Sequence, residues 1–153
     1  FPTRRSSVLS GSKSKEADAK KLGAHHFVLT SDTEKMEGLK NNFDFILNTV
    51  SAQHSYSAYL KLLKTNGTMI IVGVPPTPTP IPAIDLIMKR RTIIGSLIGG
   101  IKETQEMLDY CAEHNITSDV EVINAGYINT AYERMIKGDV KYRFVIDTAS
   151  LKS

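Results

Sequence analysis

The run Ser10-Gly11-Ser12-Lys13-Ser14-Lys15 places three hydroxyls, one glycine and two lysines in six residues, with no acid before Glu16. Hydroxyls, backbone N–H groups and ammonium groups gathered at one helix start suit a phosphate dianion. A polar helix start that binds nothing would use the same residues, so this run alone leaves both readings open. A second set lies at three apolar strand ends: Asn48-Thr49-Val50-Ser51, Val72-Gly73-Val74-Pro75-Pro76, and Gly95-Ser96-Leu97-Ile98-Gly99-Gly100. In open α/β sheets ligands lie beyond the carboxyl ends of the strands. Gly73 lets a flat ring approach the backbone, whose amides and carbonyls can hold a carboxamide. Nucleophilic and metal chemistry find less support. His25, His26, His54 and His114 are scattered, and each reads as a surface or strand-end structural residue. Cys111 stands alone on a helix face. That is no ligand set for catalytic zinc, and neither a Ser-His-Asp arrangement nor an HExxH pattern occurs.

The elements that position these groups are legible as alternating strands and helices. Val8–Ser10 is a strand end, and Ser12–Leu22 a helix capped by Ser12 or Ser14 and stopped at Gly23. His25–Thr30 is a strand, and Ser31–Lys40 a polar turn or helix. Phe43–Val50 is an apolar run of the kind found in buried parallel strands. Ser57–Leu63 is an amphipathic helix ending at the Asn66-Gly67 turn, and Thr68–Val74 a second buried strand. The prolines of Pro75–Pro82 lack N–H donors, so that run must be a loop. Ile84–Lys89 is a short helix and Thr92–Gly99 a third apolar strand. Beyond Ile101 follow a helix over Lys102–Ile116, a strand at Asp119–Ile123, a helix over Ile128–Asp139 and a strand at Lys141–Asp147. The long helix gathers Met107, Leu108 and Cys111 on its core side. Strands alternating with helices predict a parallel α/β sheet.

Size and composition narrow the classes further. With 153 residues, 41% hydrophobic and 23% charged, the chain is an ordinary globular sequence with enough apolar residues for a core. Its apolar runs are too short to cross a bilayer, so no membrane role is expected. The formal charge is +3, and the two arginines of Phe1–Ser7 supply most of it. Without a basic stripe interleaved with aromatics, no nucleic acid partner is expected. Phe1–Ser7 is read as a non-native leader that resembles a translated adapter oligonucleotide. A single cysteine fits a reducing, cytoplasmic setting.

The stretches LGAHHFV, FDFILNTVSAQH, NGTMIIVGVPP and YINTAYERMIKGDVKYRFVIDT make the reading more specific, and GSLIGGIKETQEML (Gly95–Leu108) is the most diagnostic. Together they resemble the C-terminal part of zinc-dependent medium-chain alcohol dehydrogenases, in the NADP-using branch similar to cinnamyl alcohol dehydrogenases. The resemblance covers residues 8–149 in order. It implies an incomplete doubly wound Rossmann-like sheet over residues 8–97, without its first strand and glycine-rich loop. Residues 98–153 would be the return segment of a GroES-like catalytic domain. With the usual strand order 3-2-1-4-5-6, loss of the first strand separates the strands at Val8 and Phe27 from those at Phe45, Ile70 and Ile93.

The same resemblance implies site residues. Ser10 and Lys15, with Ser12 beside them, match the positions that hold the 2′-phosphate of NADP. Gly11 stands where the family has a polar side chain and offers only backbone. Thr49 would lie beside the adenosine and ribose. Val72, Gly73 and Val74, with Ser96, Leu97 and Ile98, would line the nicotinamide, and Arg143 would reach the pyrophosphate. Zinc and the proton relay would belong to residues outside this chain, so the chain alone should be inactive and bind cofactor at most. The substrate of the parent enzyme would be a small aldehyde or primary alcohol. A homodimer would form through the sheet edge at Thr92–Leu97. The rival readings are a stand-alone nucleotide-binding module, another Rossmann enzyme such as a methyltransferase, whose turn at Ser10–Lys15 should be acidic, and a non-enzymatic interaction protein.

Overall fold

The computed structural model describes residues 6–152, which divide into two units between Leu97 and Ile98. Residues 1–5 of the expected leader lie outside the described residues. Ser6 and Ser7 lie within the fold: the Ser6 carbonyl accepts from the His25 and His26 N–H groups, and Ser7 pairs with His26.

The first unit runs β1 (Ser7–Ser10), α1 (Glu16–Lys21), β2 (His26–Leu29), α2 (Thr33–Gly38), β3 (Phe43–Asn48), α3 (Tyr56–Leu60), β4 (Leu63–Ile71), α4 (Ala83–Ile87) and β5 (Thr92–Gly95). Its strands form two parallel sheets, β1-β2 and β3-β4-β5, with no hydrogen-bonded pairing between them. The separation expected between the strands at Val8 and Phe45 is therefore present. Local chemistry sets several boundaries. Gly23 ends α1 at φ 96°, a conformation that penalises any Cβ. The Asp32 carboxylate accepts from the Lys35 N–H to start α2, and the Ser55 hydroxyl from the Ala58 N–H to start α3.

Several boundaries differ from the sequence reading, and four of the differences have a visible cause. Neither Ser12 nor Ser14 caps the first helix: their hydroxyls bond each other at 2.8 Å, and Lys13–Lys15 forms a 3-10 turn ahead of α1. Helix α3 stops at Leu60 because the next carbonyls are claimed by another strand, Lys61 accepting from Asn41 and Leu62 from Asn42 and Phe43. The Asn66-Gly67 turn lies inside β4, where the register jumps from Phe43↔Leu63 to Phe45↔Thr68. Strand β5 ends at Gly95 rather than Gly99, its last link being the Ser96 N–H to the Ile71 carbonyl at the end of β4.

The core sits on one face of β3-β4-β5, against α3 and α4. Leu60, Leu63 and Met69 are fully buried there, with Tyr56 beside them and Ile46, Ile71, Leu86 and Ile93 packed around. The opposite face is open. Phe45 and Leu47 are 66% and 62% exposed, and Ile94, two strands away in the same register row as Leu47, is exposed as well. The apolar run Phe43–Val50 is thus buried on one side rather than two.

The second unit contains α5 (Ile101–Glu113), β6 (Glu121–Asn124), α6 (Ile128–Ile136) and β7 (Phe144–Asp147), with β6 and β7 paired in parallel. The Glu103 carboxylate accepts from the Gly100 N–H at 2.8 Å to start α5. Among its described residues only Ala131 is a buried apolar residue. Met107 and Leu108, expected to face a core, are exposed, because so short a segment cannot cover a long amphipathic helix by itself.

Candidate functional site

Parallel pairing puts three strand ends in one row. Asn48 on β3, Ile71 on β4 and Gly95 on β5 are in register, so Thr49, Val72 and Ser96 follow as the next positions along the same sheet edge. The edge is held closely. The Asn48 carbonyl accepts from both the Val72 and Gly73 N–H groups, at 3.0 and 3.2 Å, and the Ile71 carbonyl accepts from Ser96 at 3.1 Å. Gly73 lies so near the neighbouring loop that a Cβ there would be 2.5 Å from the Val50 carbonyl oxygen. Only glycine allows this approach.

Two residues that sequence reasoning left unconnected complete this edge. The Asn48 side chain, 6% exposed at the end of an apolar strand, accepts from the Val50 N–H at 3.1 Å and lies 2.8 Å from His54 Nε2. His54 in turn lies 2.7 Å from the Ala52 carbonyl through Nδ1. A polar amide closing an apolar strand marks Asn48 in the sequence, but nothing in its spacing to His54 foretells the contact.

The residues of the other expected contact sit at the carboxyl end of β1. Ser10 Oγ accepts from the Ser12 N–H at 3.3 Å, which folds the turn over Gly11, and the Ser10 carbonyl accepts from Thr30. Lys15 closes the 3-10 turn. The first acid, Glu16, is engaged by Lys20 at 2.6 Å, and that ammonium holds its carboxyl below the usual range. The turn thus keeps its hydroxyls and lysines with the acid neutralised from within the helix.

A cleft of about 300 Å³ in this unit is lined from both sheets, by Val8 and Leu9 on one side and by Phe45, Leu47 and Thr49 on the other. Tyr59 also lines it; burial pushes its hydroxyl pKa up, while a hydrogen bond with Thr30 acts the other way. The structure gathers Thr49, Val72, Gly73, Val74, Ser96 and Leu97 at one sheet edge, and Ser10, Gly11, Ser12 and Lys15 at one turn. Ile98 and Arg143 belong to the second unit. There Arg143 lies just before β7, its carbonyl accepting from the Glu121 N–H, and it lines an apolar cavity of about 480 Å³ with Tyr132, Tyr142 and Phe144. Among the described residues no three His, Cys, Asp or Glu side chains come together as a metal site, so these residues offer zinc no ligand set.

Residues 6–113 match the family described as zinc-binding dehydrogenase. The chain belongs to that family. It is 53% identical over 146 residues to NADP-dependent alcohol dehydrogenase C 1 of Mycolicibacterium smegmatis, a match covering 95% of the chain and 42% of that protein. It is 55% identical over 141 residues to aldehyde reductase YahK of Escherichia coli, covering 92% of the chain and 40% of the relative. Among solved structures it is similar to cinnamyl alcohol dehydrogenase SbCAD4 of Sorghum bicolor, with a TM-score of 0.87 and 40% identity over 95% of the chain and 41% of the neighbour. It is also similar to CAD of Helicobacter pylori complexed with NADP(H), at a TM-score of 0.78 and 39% identity over 97% of the chain and 42% of that protein. The chain therefore spans about two fifths of the length of the relatives it matches. Among the described residues no helix is long and apolar enough to cross a membrane.

Proposed function

We propose that this chain is the nucleotide-binding part of an NADP(H)-dependent oxidoreductase that interconverts small aldehydes and primary alcohols. The observation that carries the reading is the register row that sets Thr49, Val72 and Ser96 at one sheet edge, where the close approach of Gly73 to Val50 holds the two strand ends together. The relatives named as NADP-dependent alcohol dehydrogenase and aldehyde reductase support the chemistry. The nucleotide, when bound, supplies the hydride. The first unit's own residues bind and orient it: Thr49 beside the adenosine ribose, and Val72 to Val74 with Ser96 and Leu97 along the nicotinamide. Ser10, Ser12 and Lys15, with the Gly11 backbone, take the 2′-phosphate. The hydroxyl-rich turn carries no free carboxylate to repel it, since Glu16 is engaged by Lys20.

With no metal-ligand cluster among the described residues, we assign catalytic zinc and the proton relay to protein outside this chain and expect the chain alone to turn over nothing. We place residues 8–97 in the nucleotide-binding domain and 98–153 in the return segment of a catalytic domain, in a cytoplasmic enzyme. The free side of β5, at one end of its sheet, is the edge we assign to a homodimer.

Titrating the 153-residue chain with NADPH, NADH and S-adenosylmethionine tests the nucleotide reading. Saturable binding that favours NADPH is expected, without oxidation of NADPH when an aldehyde is added. Preference for S-adenosylmethionine would identify a methyltransferase-type site, and reduction of an aldehyde by the chain alone would overturn the division of labour.

A further inference from the structure

The Asn48–His54 contact is a relay with a direction fixed at both ends. The Val50 N–H can only donate, so the Asn48 atom facing it at 3.1 Å must be the carbonyl oxygen. The amide nitrogen then faces His54 Nε2 at 2.8 Å and donates to it. At the far end the Ala52 carbonyl can only accept, so His54 Nδ1, 2.7 Å away, must carry the proton. A single state of the ring satisfies all three contacts: neutral, with hydrogen on Nδ1. The ring also meets Tyr56 and Tyr59 edge-on, with centroids 5.1 and 5.6 Å away, so four sides of the imidazole are held.

From this geometry we infer that His54 is a positioning residue for the nucleotide edge, an assignment that rests on the proposed roles of Thr49 and Gly73. The relay pins the loop from Asn48 to His54 at three points, and Thr49 lies between two of them. The same Asn48 also ties down the neighbouring strand end, since its main-chain carbonyl accepts from Val72 and Gly73. Its side chain is bound to the Val50 N–H, so the Val50 carbonyl that Gly73 packs against has little room to move. His54 therefore acts through Asn48 on both loops and touches no ligand itself. Loss of its acceptor leaves a buried amide hydrogen without a partner, and the amide can regain one only by abandoning Val50.

Two readouts test this. In long-range ¹H–¹⁵N NMR spectra of the 153-residue chain, His54 is expected to be protonated on Nδ1; a ring protonated on Nε2 overturns the inference without reference to any nucleotide. In NADPH titrations followed by nicotinamide fluorescence, His54→Ala is expected to weaken binding about threefold to tenfold. His54→Gln, which keeps an acceptor facing Asn48, should return to within about twofold of the unmodified chain. Unchanged binding by His54→Ala, or no recovery by His54→Gln, refutes the positioning role while leaving the nucleotide reading intact. Absence of NADPH binding by the unmodified chain refutes the nucleotide reading itself and removes this inference with it.

Discussion

Gly73 and Val50 approach so closely that a Cβ on the glycine would stand 2.5 Å from the Val50 carbonyl oxygen and 2.7 Å from the Thr49 carbonyl carbon. Both obstacles are backbone, not the tip of a flexible side chain. Gly73→Ala must therefore push the end of β4 away from the end of β3, breaking the hydrogen bonds that the Asn48 carbonyl accepts from Val72 and Gly73. Overpacking of this kind costs about 1–3 kcal/mol. Urea denaturation should record that loss, and NADPH affinity should fall in protein that remains folded. A variant as stable as its parent would show that the two loops are free to move apart.

Arg91 joins three separate segments of the first unit. Its Nε and Nη2 donate to the Leu63 carbonyl at 3.0 and 2.7 Å, Nη1 donates to the Asp85 carbonyl at 3.1 Å, and Nη2 also reaches Asn41 Oδ1 at 3.1 Å. A lysine ammonium cannot span these directions from one position. Arg91→Lys should lower stability by about 1–3 kcal/mol, read as a shift in the urea midpoint. A shift no larger than that of an exposed control, such as Lys102→Arg, would deny the guanidinium this role.

The sequence made the alternation of elements legible because β3, β4 and β5 are short apolar runs bounded by turn residues, and Pro75–Pro82 can only be a loop. The split between β1 and β3 was legible only through the family resemblance and the strand order that it implies, and the two strands do lie in separate sheets. What the sequence hid were features that depend on competition between segments. Helix α3 ends at Leu60 because Asn41 to Phe43 capture the next carbonyls, and the Ser57–Leu63 pattern carries no trace of that capture. Burial on both faces was read from Phe43–Val50, yet Phe45 and Leu47 are exposed, because hydrophobicity shows what a face is made of and not whether anything covers it. The tie between Asn48 and His54 was hidden for a third reason. Six residues of irregular loop leave no period from which a contact could be deduced.

The second unit should weaken in acid. Glu121 Oε1 accepts from the Lys141 N–H at 3.0 Å and Oε2 pairs with Arg134 at 2.8 Å, holding this carboxyl below its ordinary value of 4.5. Arg134 likewise lowers Asp139, with 2.9 Å between Nε and Oδ2. A carboxyl that is more acidic in the folded than in the unfolded chain stabilises fully above its unfolded value, and that contribution drains away as pH falls through the folded one. Melting temperature should therefore decline as pH drops below about 4.5. The decline should be shallower in Glu121→Gln. Parallel pH profiles for the two proteins would remove Glu121 from the explanation.

The open face of the three-stranded sheet makes a prediction about solution behaviour. Leu47 and Ile94 are exposed in one register row, with Phe45 exposed two residues earlier on β3. Contiguous exposed apolar surface of this kind promotes self-association. Leu47→Lys places a charge in the middle of the patch without touching the Ile46–Met69–Ile93 row that faces the core. Light scattering should then show less concentration-dependent association, at an unchanged melting temperature. Equal scattering by both proteins would mean that association, if any, runs through another surface.

Cofactor choice should turn on Ser10. Its Oγ accepts from the Ser12 N–H at 3.3 Å and donates to the Ser12 carbonyl at 3.4 Å; an aspartate oxygen at this position can take over the first bond, though not the second. The charge it introduces has opposite consequences for the two nucleotides. Beside a 2′-phosphate it is a like charge, whereas beside a ribose hydroxyl it is an acceptor of the kind NAD-binding folds use. Ser10→Asp should therefore weaken NADPH binding by about tenfold to a hundredfold while leaving NADH binding equal or stronger. The comparison separates an electrostatic effect from a structural one, because a collapsed turn would weaken both nucleotides together. If NADPH and NADH lose affinity in parallel, the phosphate does not sit at Ser10–Lys15, and the preference must be sought elsewhere in the unit.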